Sequence, residues 1–183
     1  LNVSRGSVRE AMKILAAYGI VAIYQGDGTY ISREAGRTLF DPLLFNLLLT
    51  ERDKTRLMEL RELLEVGIER LIIKNASNSD LNELEGAHIR MVEEVEKGTR
   101  DPYVLSECDL EFHHALGAAT KNAYVSKIYD FVLEFLAPFI EETHVNELSG
   151  ANALRLHQDI LDALKARDAE WATIAIRRSI EQW

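Results

Sequence analysis

The sequence predicts a mainly α protein in which a short helix-and-hairpin unit precedes an all-α bundle of six to seven helices. Three observations carry this. Apolar residues recur at three- and four-residue spacing over nearly the whole stretch after residue 40. One stretch, Ile20 to Ser32, is rich in β-branched and aromatic residues and is broken by Gln25-Gly26-Asp27-Gly28. Charge divides in the same way: residues 1–37 hold five Lys/Arg against three acids, and the remainder holds 16 against 27, as expected of two modules with different partners. With 183 residues, 47% of them apolar, and only three prolines, the chain can bury a core and is neither low-complexity nor disordered in composition.

From Ser4 to about Tyr18, the residues Val8, Met12, Leu15 and Ala16 share a helical face, with Ser4 as N-cap and Gly19 as the stop. Ile20 to Tyr24 and Thr29 to Ser32 then read as strands, joined by a tight turn at Asp27-Gly28. The helix carries Ser4, Arg5, Ser7 and Arg9 at its N-terminus, where short polar and guanidinium side chains reach base edges and phosphates. A winged helix has this form, and so does an ordinary amphipathic helix packed on a hairpin. After a polar joint at 33–38, residues 41–50 read as a short leucine-rich helix. Residues 53–75 read as a long one, apolar at 57, 60, 64, 68, 71 and 72. Helices follow over 79–97, 102–119, 123 to about 145, about 149–166, and 168 to the end. Connections as short as 120–122 and 167–168 favour antiparallel packing of consecutive helices. The domain boundary is placed between residues 37 and 38.

The single cysteine, Cys108, excludes an intrachain disulfide framework and a cysteine-type zinc site, and makes a cytoplasmic setting the default expectation. No run of about 18 apolar residues occurs, the best stretches being broken by Asn46 and by Glu134 with Pro138. No basic-then-apolar leader opens the chain, so no membrane or export route is expected. The net charge of −9 argues by itself against nucleic acid, but it is set by the acidic body.

A site buried in a bundle shows as ionisable residues on core-facing stripes, because burying a polar group without a partner costs about 1–3 kcal/mol or more. Near 105–119, Leu105, Cys108, Phe112, Ala115, Leu116 and Ala119 share a face, with Asp109 and His113 one turn apart along its edge and His114 pointing away. That spacing suits joint binding of one metal ion, and equally a plain His–Asp hydrogen bond. His157 falls within the stripe of Leu154, Ile160, Leu161 and Leu164, and Ser179 sits among Ala172, Ala175, Ile176 and Trp183. Arg61, between Leu57, Leu64 and Ile68, flanks an apolar face, there to grip a carboxylate or simply to pair with Glu65. Taken singly, each of these residues is more often structural than functional. His88 and His144 have no clear stripe and receive no role.

The segment Val3-Ser4-Arg5-Gly6-Ser7-Val8-Arg9-Glu10-Ala11-Met12, followed by Leu15, Gly19-Ile20-Val21 and Gly26-Asp27-Gly28-Thr29-Tyr30-Ile31, resembles the recognition helix and wing of GntR-type bacterial transcriptional regulators. The body resembles the FadR-like effector-binding domain (FCD type) of that family through Glu59 to Glu65, Asp109-Leu110-Glu111-Phe112-His113, Asn122 and His157 to Leu164. The resemblance implies an incomplete winged helix-turn-helix in residues 1–37 and an effector-binding, dimerising helical domain in 38–183. It implies a non-enzymatic homodimer that reads a palindromic operator through Ser4, Arg5, Ser7 and Arg9, with Gly28 and Thr29 at the wing tip. A small organic acid bound at Arg61 and Ser179 would control operator affinity. It also implies a divalent metal, zinc, nickel or manganese, on Asp109, His113 and His157. The family's usual fourth ligand, a histidine, falls on Ser179, a much poorer donor. That leaves either a three-ligand site with open positions, the preferred reading, or a metal-free pocket in which Ser179 hydrogen-bonds the effector. Residues 1–37 are too few to bury a complete core, so the winged-helix domain is expected to extend upstream. The rival from another class is a metal-dependent hydrolase using Asp109, His113 and His157 around an open position, although no general base stands beside them. A third reading is a dimerisation module whose inward polar residues are structural.

Overall fold

Ser4 opens the first helix: its Oγ accepts the Ser7 backbone N–H at 3.1 Å, satisfying one of the amides that a helix start leaves unpaired. Helix α1 (Arg5–Ala17) stops where Gly19 turns to φ +67. There the Gly19 and Ile20 amides fold back onto Ala16 O and Leu15 O, both at 2.9 Å, the left-handed stop that glycine favours. Strands β1 (Val21–Tyr24) and β2 (Gly28–Ile31) pair antiparallel with Val21 opposite Ile31 and Tyr24 opposite Gly28. The tight turn lies one residue earlier than the Asp27-Gly28 pair suggests. Asp27 N–H closes onto Tyr24 O at 3.1 Å, and Gly26 supplies the positive φ of +84, leaving Gly28 in the strand.

The computed structural model describes residues 3–32, 54–145 and 149–181. Two compact units divide the chain, Leu1–Arg52 and Asp53–Trp183. The expected helix over 41–50 and the expected boundary at residue 37 fall outside the described residues. Among the described residues of the first unit only Val21 is buried.

The second unit's described residues form six helices: α2 (Lys54–Asn75), α3 (Asn78–Glu96), α4 (Pro102–Ala119), α5 (Ala123–Thr143), α6 (Ser149–Ala166) and α7 (Ala169–Glu181). Their bounds agree with the sequence periodicity to within a residue or two. Local chemistry sets the starts. Ser77 and Asp80 form a reciprocal capping box at α3. Asp101 with Pro102 opens α4, and Asn122 opens α5. The core is one apolar cluster from all six helices, including Ile68, Leu84, Phe112, Leu133, Ile160 and Ile176. Gly117 allows α4 and α5 to approach closely, since a Cβ there would meet the Tyr129 ring at 3.1 Å. Arg167 occupies the left-handed region at φ +57 between α6 and α7, unusual for a residue with a Cβ. Its guanidinium donates to the carbonyls of Ile72, Ile73 and Ala76, tying this turn to the C-terminus of α2. No helix among the described residues is long and apolar enough to cross a membrane.

Candidate metal and effector site

Five helices of the second unit send polar side chains to one buried place. Arg61 and Glu65 lie one turn apart on the face of α2 that also buries Ile68 and Ile72, so the period that builds the core also buries these charges. Helix α4 contributes Asp109 and His113, and α5 contributes Tyr129 and, at its C-cap, His144. His157 comes from α6 and Ser179 from α7. Arg61, Asp109, His113, His144, His157 and Ser179 line a cavity of about 60 Å³, room for an ion or for one or two waters. A groove of about 630 Å³ beside Arg155, Asp159, Asp162 and Arg178 is larger, but it is an open surface of mixed charge.

The hydrogen bonds assign the proton positions. Arg61 Nε donates to Glu65 Oε1 at 2.7 Å, and the Tyr129 hydroxyl donates to the same oxygen at 2.6 Å. The Tyr129 oxygen is then free to accept, and His113 Nδ1, 3.0 Å away, is its donor. A neutral His113 with its proton on Nδ1 carries a lone pair on Nε2. That lone pair accepts from Arg61 Nη2 at 2.9 Å and faces Asp109 Oδ1 at 3.2 Å. His157 Nε2 lies 3.4 Å from the same oxygen, its ring stacked on Phe112 with centroids 4.0 Å apart. Oδ1 nevertheless is buried with no hydrogen-bond partner among the described residues.

An orphaned carboxylate oxygen opposing a ring lone pair, with Asp109, His113 and His157 offering ligand atoms within 4.8 Å of one another, fits a divalent cation of the zinc or nickel kind. The other oxygen, Asp109 Oδ2, is 2.9 Å from His144 Nε2.

Electrostatics support the ligating forms. Burial alone would raise Asp109, but the His157 imidazole and the His144 hydrogen bond hold its carboxyl well below the usual range. Burial also opposes ionisation of Glu65, and the Arg61 guanidinium, with His113 and Tyr129, outweighs it and lowers the pKa. Burial drives Tyr129 well up, and the Glu65 charge adds to that. Burial pushes His157 down, favouring the neutral ring that binds metal.

The structure brings Arg61, Asp109, His113, His157 and Ser179 to the same cavity. Several details differ from the sequence reading. Arg61 is 1% exposed and Asp109 4%, so both sit inside rather than along an edge; the Arg61–Glu65 pair is one of the two readings that the sequence offers. Ser179 Oγ donates to Ile176 O at 2.8 Å, which commits its proton to its own helix. His144, left without a role, is buried against Asp109. Its signal was present as Val132, Leu136, Ile140 and His144 at four-residue intervals. Glu65 as a site residue and Tyr129 were also missed. His88 is buried, edge-on to Phe112 and His157, and His114 faces outward to Asp130. In the first unit Ser4, Arg5, Ser7, Arg9, Gly28 and Thr29 are all exposed, with Ser4 engaged as the cap of α1.

The described residues thus form a helix-and-hairpin unit and a helical unit with a small, charged cavity buried within it. Residues 56–182 match the FCD domain family, and the chain belongs to that family. It is 32% identical to the HTH-type transcriptional regulator LutR of Bacillus subtilis over 142 residues, 78% of this chain and 63% of LutR. It is 27% identical to the Uxu operon transcriptional regulator of Escherichia coli over 99% of this chain and 71% of that protein. The solved structure of a Streptococcus agalactiae GntR protein superposes with a TM-score of 0.72 at 27% identity, covering 98% of this chain and 81% of that one. The chain thus spans under two thirds of LutR. The hydrolase alternative finds no support, since these relatives are named as regulators.

Proposed function

We propose that this chain is a DNA-binding transcriptional regulator, not an enzyme, whose affinity for a palindromic operator is set by a small carboxylate bound with a divalent metal in the helical unit. The observation that carries the reading is the buried, unbonded Asp109 Oδ1 facing the His113 and His157 nitrogens. Asp109, His113 and His157 would hold the metal, which supplies positive charge and open coordination positions to an anion. Among the charges around the cavity, Arg61 pairs with Glu65, and the Asp109 carboxylate is held among imidazoles. A divalent ion turns that single negative charge into a single positive one, which a monocarboxylate neutralises. The His113 lone pair that would bind the metal is the one that accepts from Arg61 Nη2, so with a metal bound that N–H would be available to a carboxylate. A cavity of about 60 Å³ is well below the roughly 300 Å³ of small-molecule pockets. Effector binding therefore enlarges it, and the displaced helices carry the response.

In the first unit, Arg5, Ser7 and Arg9, with Ser4 at the cap, make groove and phosphate contacts, and Gly28 and Thr29 meet the backbone from the hairpin. The unit extends over residues 1–37, and the effector domain over 38–183. A homodimer matches the two-fold symmetry of a palindrome, and exposed Leu60, Leu63, Tyr124 and Ile128 supply apolar surface for it. Such a protein works in the cytoplasm.

The test is a thermal-shift screen of hydroxy, sugar and dicarboxylic acids, with and without added zinc or nickel. One acid should raise Tm only in the metal-loaded state and should alter DNA binding in an anisotropy titration that Arg5→Ala weakens. If no acid moves Tm in either state, the reading is wrong.

A further inference from the structure

His144 is buried at 3% exposure, belongs to the C-cap of α5, and has no part in the metal set of Asp109, His113 and His157. Its Nε2 is 2.9 Å from Asp109 Oδ2. Its Nδ1 is buried with no hydrogen-bond partner among the described residues. A buried orphan N–H is costlier than a buried orphan lone pair, so the proton belongs on Nε2, donated to the carboxylate. That bond ties Oδ2 to α5 and leaves Oδ1 turned toward His113 and His157. Ligating groups held by outer hydrogen bonds bind metal in a fixed orientation at lower entropic cost.

From this geometry we propose that His144 is a positioning residue: it donates Nε2–H to Asp109 Oδ2 and so aims Oδ1 at the metal. This rests on the metal reading above. It also gives the site a character of its own. Ser179, where the resemblance to the family expects a fourth ligand, has its hydroxyl proton committed to Ile176 O. The strengthening therefore comes from behind Asp109 rather than from a fourth donor.

The experiment is a competitive titration of zinc and of nickel into the metal-stripped wild type, His144→Ala, His144→Gln and His157→Ala, with apo Tm measured alongside. Glutamine can place an amide N–H near the Nε2 position but is a poor ligand for these ions. The expected result is affinity reduced about 10- to 100-fold in His144→Ala, the range for loss of such an outer partner, largely restored in His144→Gln and lost in His157→Ala. Equal affinity in wild type and His144→Ala overturns the proposal while leaving the metal site standing. Equal loss in His144→Ala and His144→Gln, with apo Tm preserved, overturns it too, by making His144 a ligand itself. Failure of the wild type to bind either metal overturns the metal reading and this inference with it.

Discussion

Arg61 Nη2 stands 2.9 Å from His113 Nε2 while Arg61 Nε holds Glu65 at 2.7 Å, so one guanidinium joins the candidate metal set to a fully buried carboxylate. The consequence for mutagenesis is direct. Arg61→Ala leaves Glu65 charged and uncompensated, and should destabilise the fold by about 3–5 kcal/mol. Arg61→Met with Glu65→Leu should recover most of that loss while still abolishing the effector response. Denaturant unfolding of the three proteins checks this. A single variant as stable as the wild type would contradict the assignment.

Ser179 lines the cavity but offers a hydroxyl where an imidazole would ligate. Ser179→His should raise metal affinity at least about 10-fold and weaken the carboxylate response by filling an open position. Calorimetric titration reads both, and an unchanged metal affinity would show that position 179 does not reach the ion.

Away from the site, Asp80 caps α3 and accepts from Lys121 Nζ at 2.8 Å. The Lys121 and Ser77 hydrogen bonds lower its pKa to about 2. A depressed carboxyl contributes stability above its unfolded value and loses it as pH falls through the folded value. The gap between wild type and Asp80→Asn should therefore be constant above about pH 5 and close between about pH 4 and 2. Unfolding midpoints at stepped pH test this, and a gap that persists at pH 2 would contradict it.

The fold was legible where local rules and burial agree. Ser4, Asp101 and Asn122 start helices that their spacing already marks, and Gly19 ends one. The hairpin turn moved because Gly26 is as free as Gly28 to take a positive φ, and the strand register decides between them. In the site, Asp109, His113 and His157 stood out as polar residues on or beside apolar stripes. Glu65 and His144 did not: a charge continuing a stripe looks like the stripe's end until a partner from another helix is seen. Their partners, Tyr129 at 64 residues' separation from Glu65 and Asp109 at 35 from His144, are set by packing that no local pattern encodes.

The measurement that bears most directly on this account is metal content by mass spectrometry on the chain purified without chelator or histidine tag, alongside Asp109→Ala. The account predicts about one divalent ion per wild-type chain and almost none in Asp109→Ala. A wild type free of metal, which also gains none on dialysis against zinc or nickel, would contradict it.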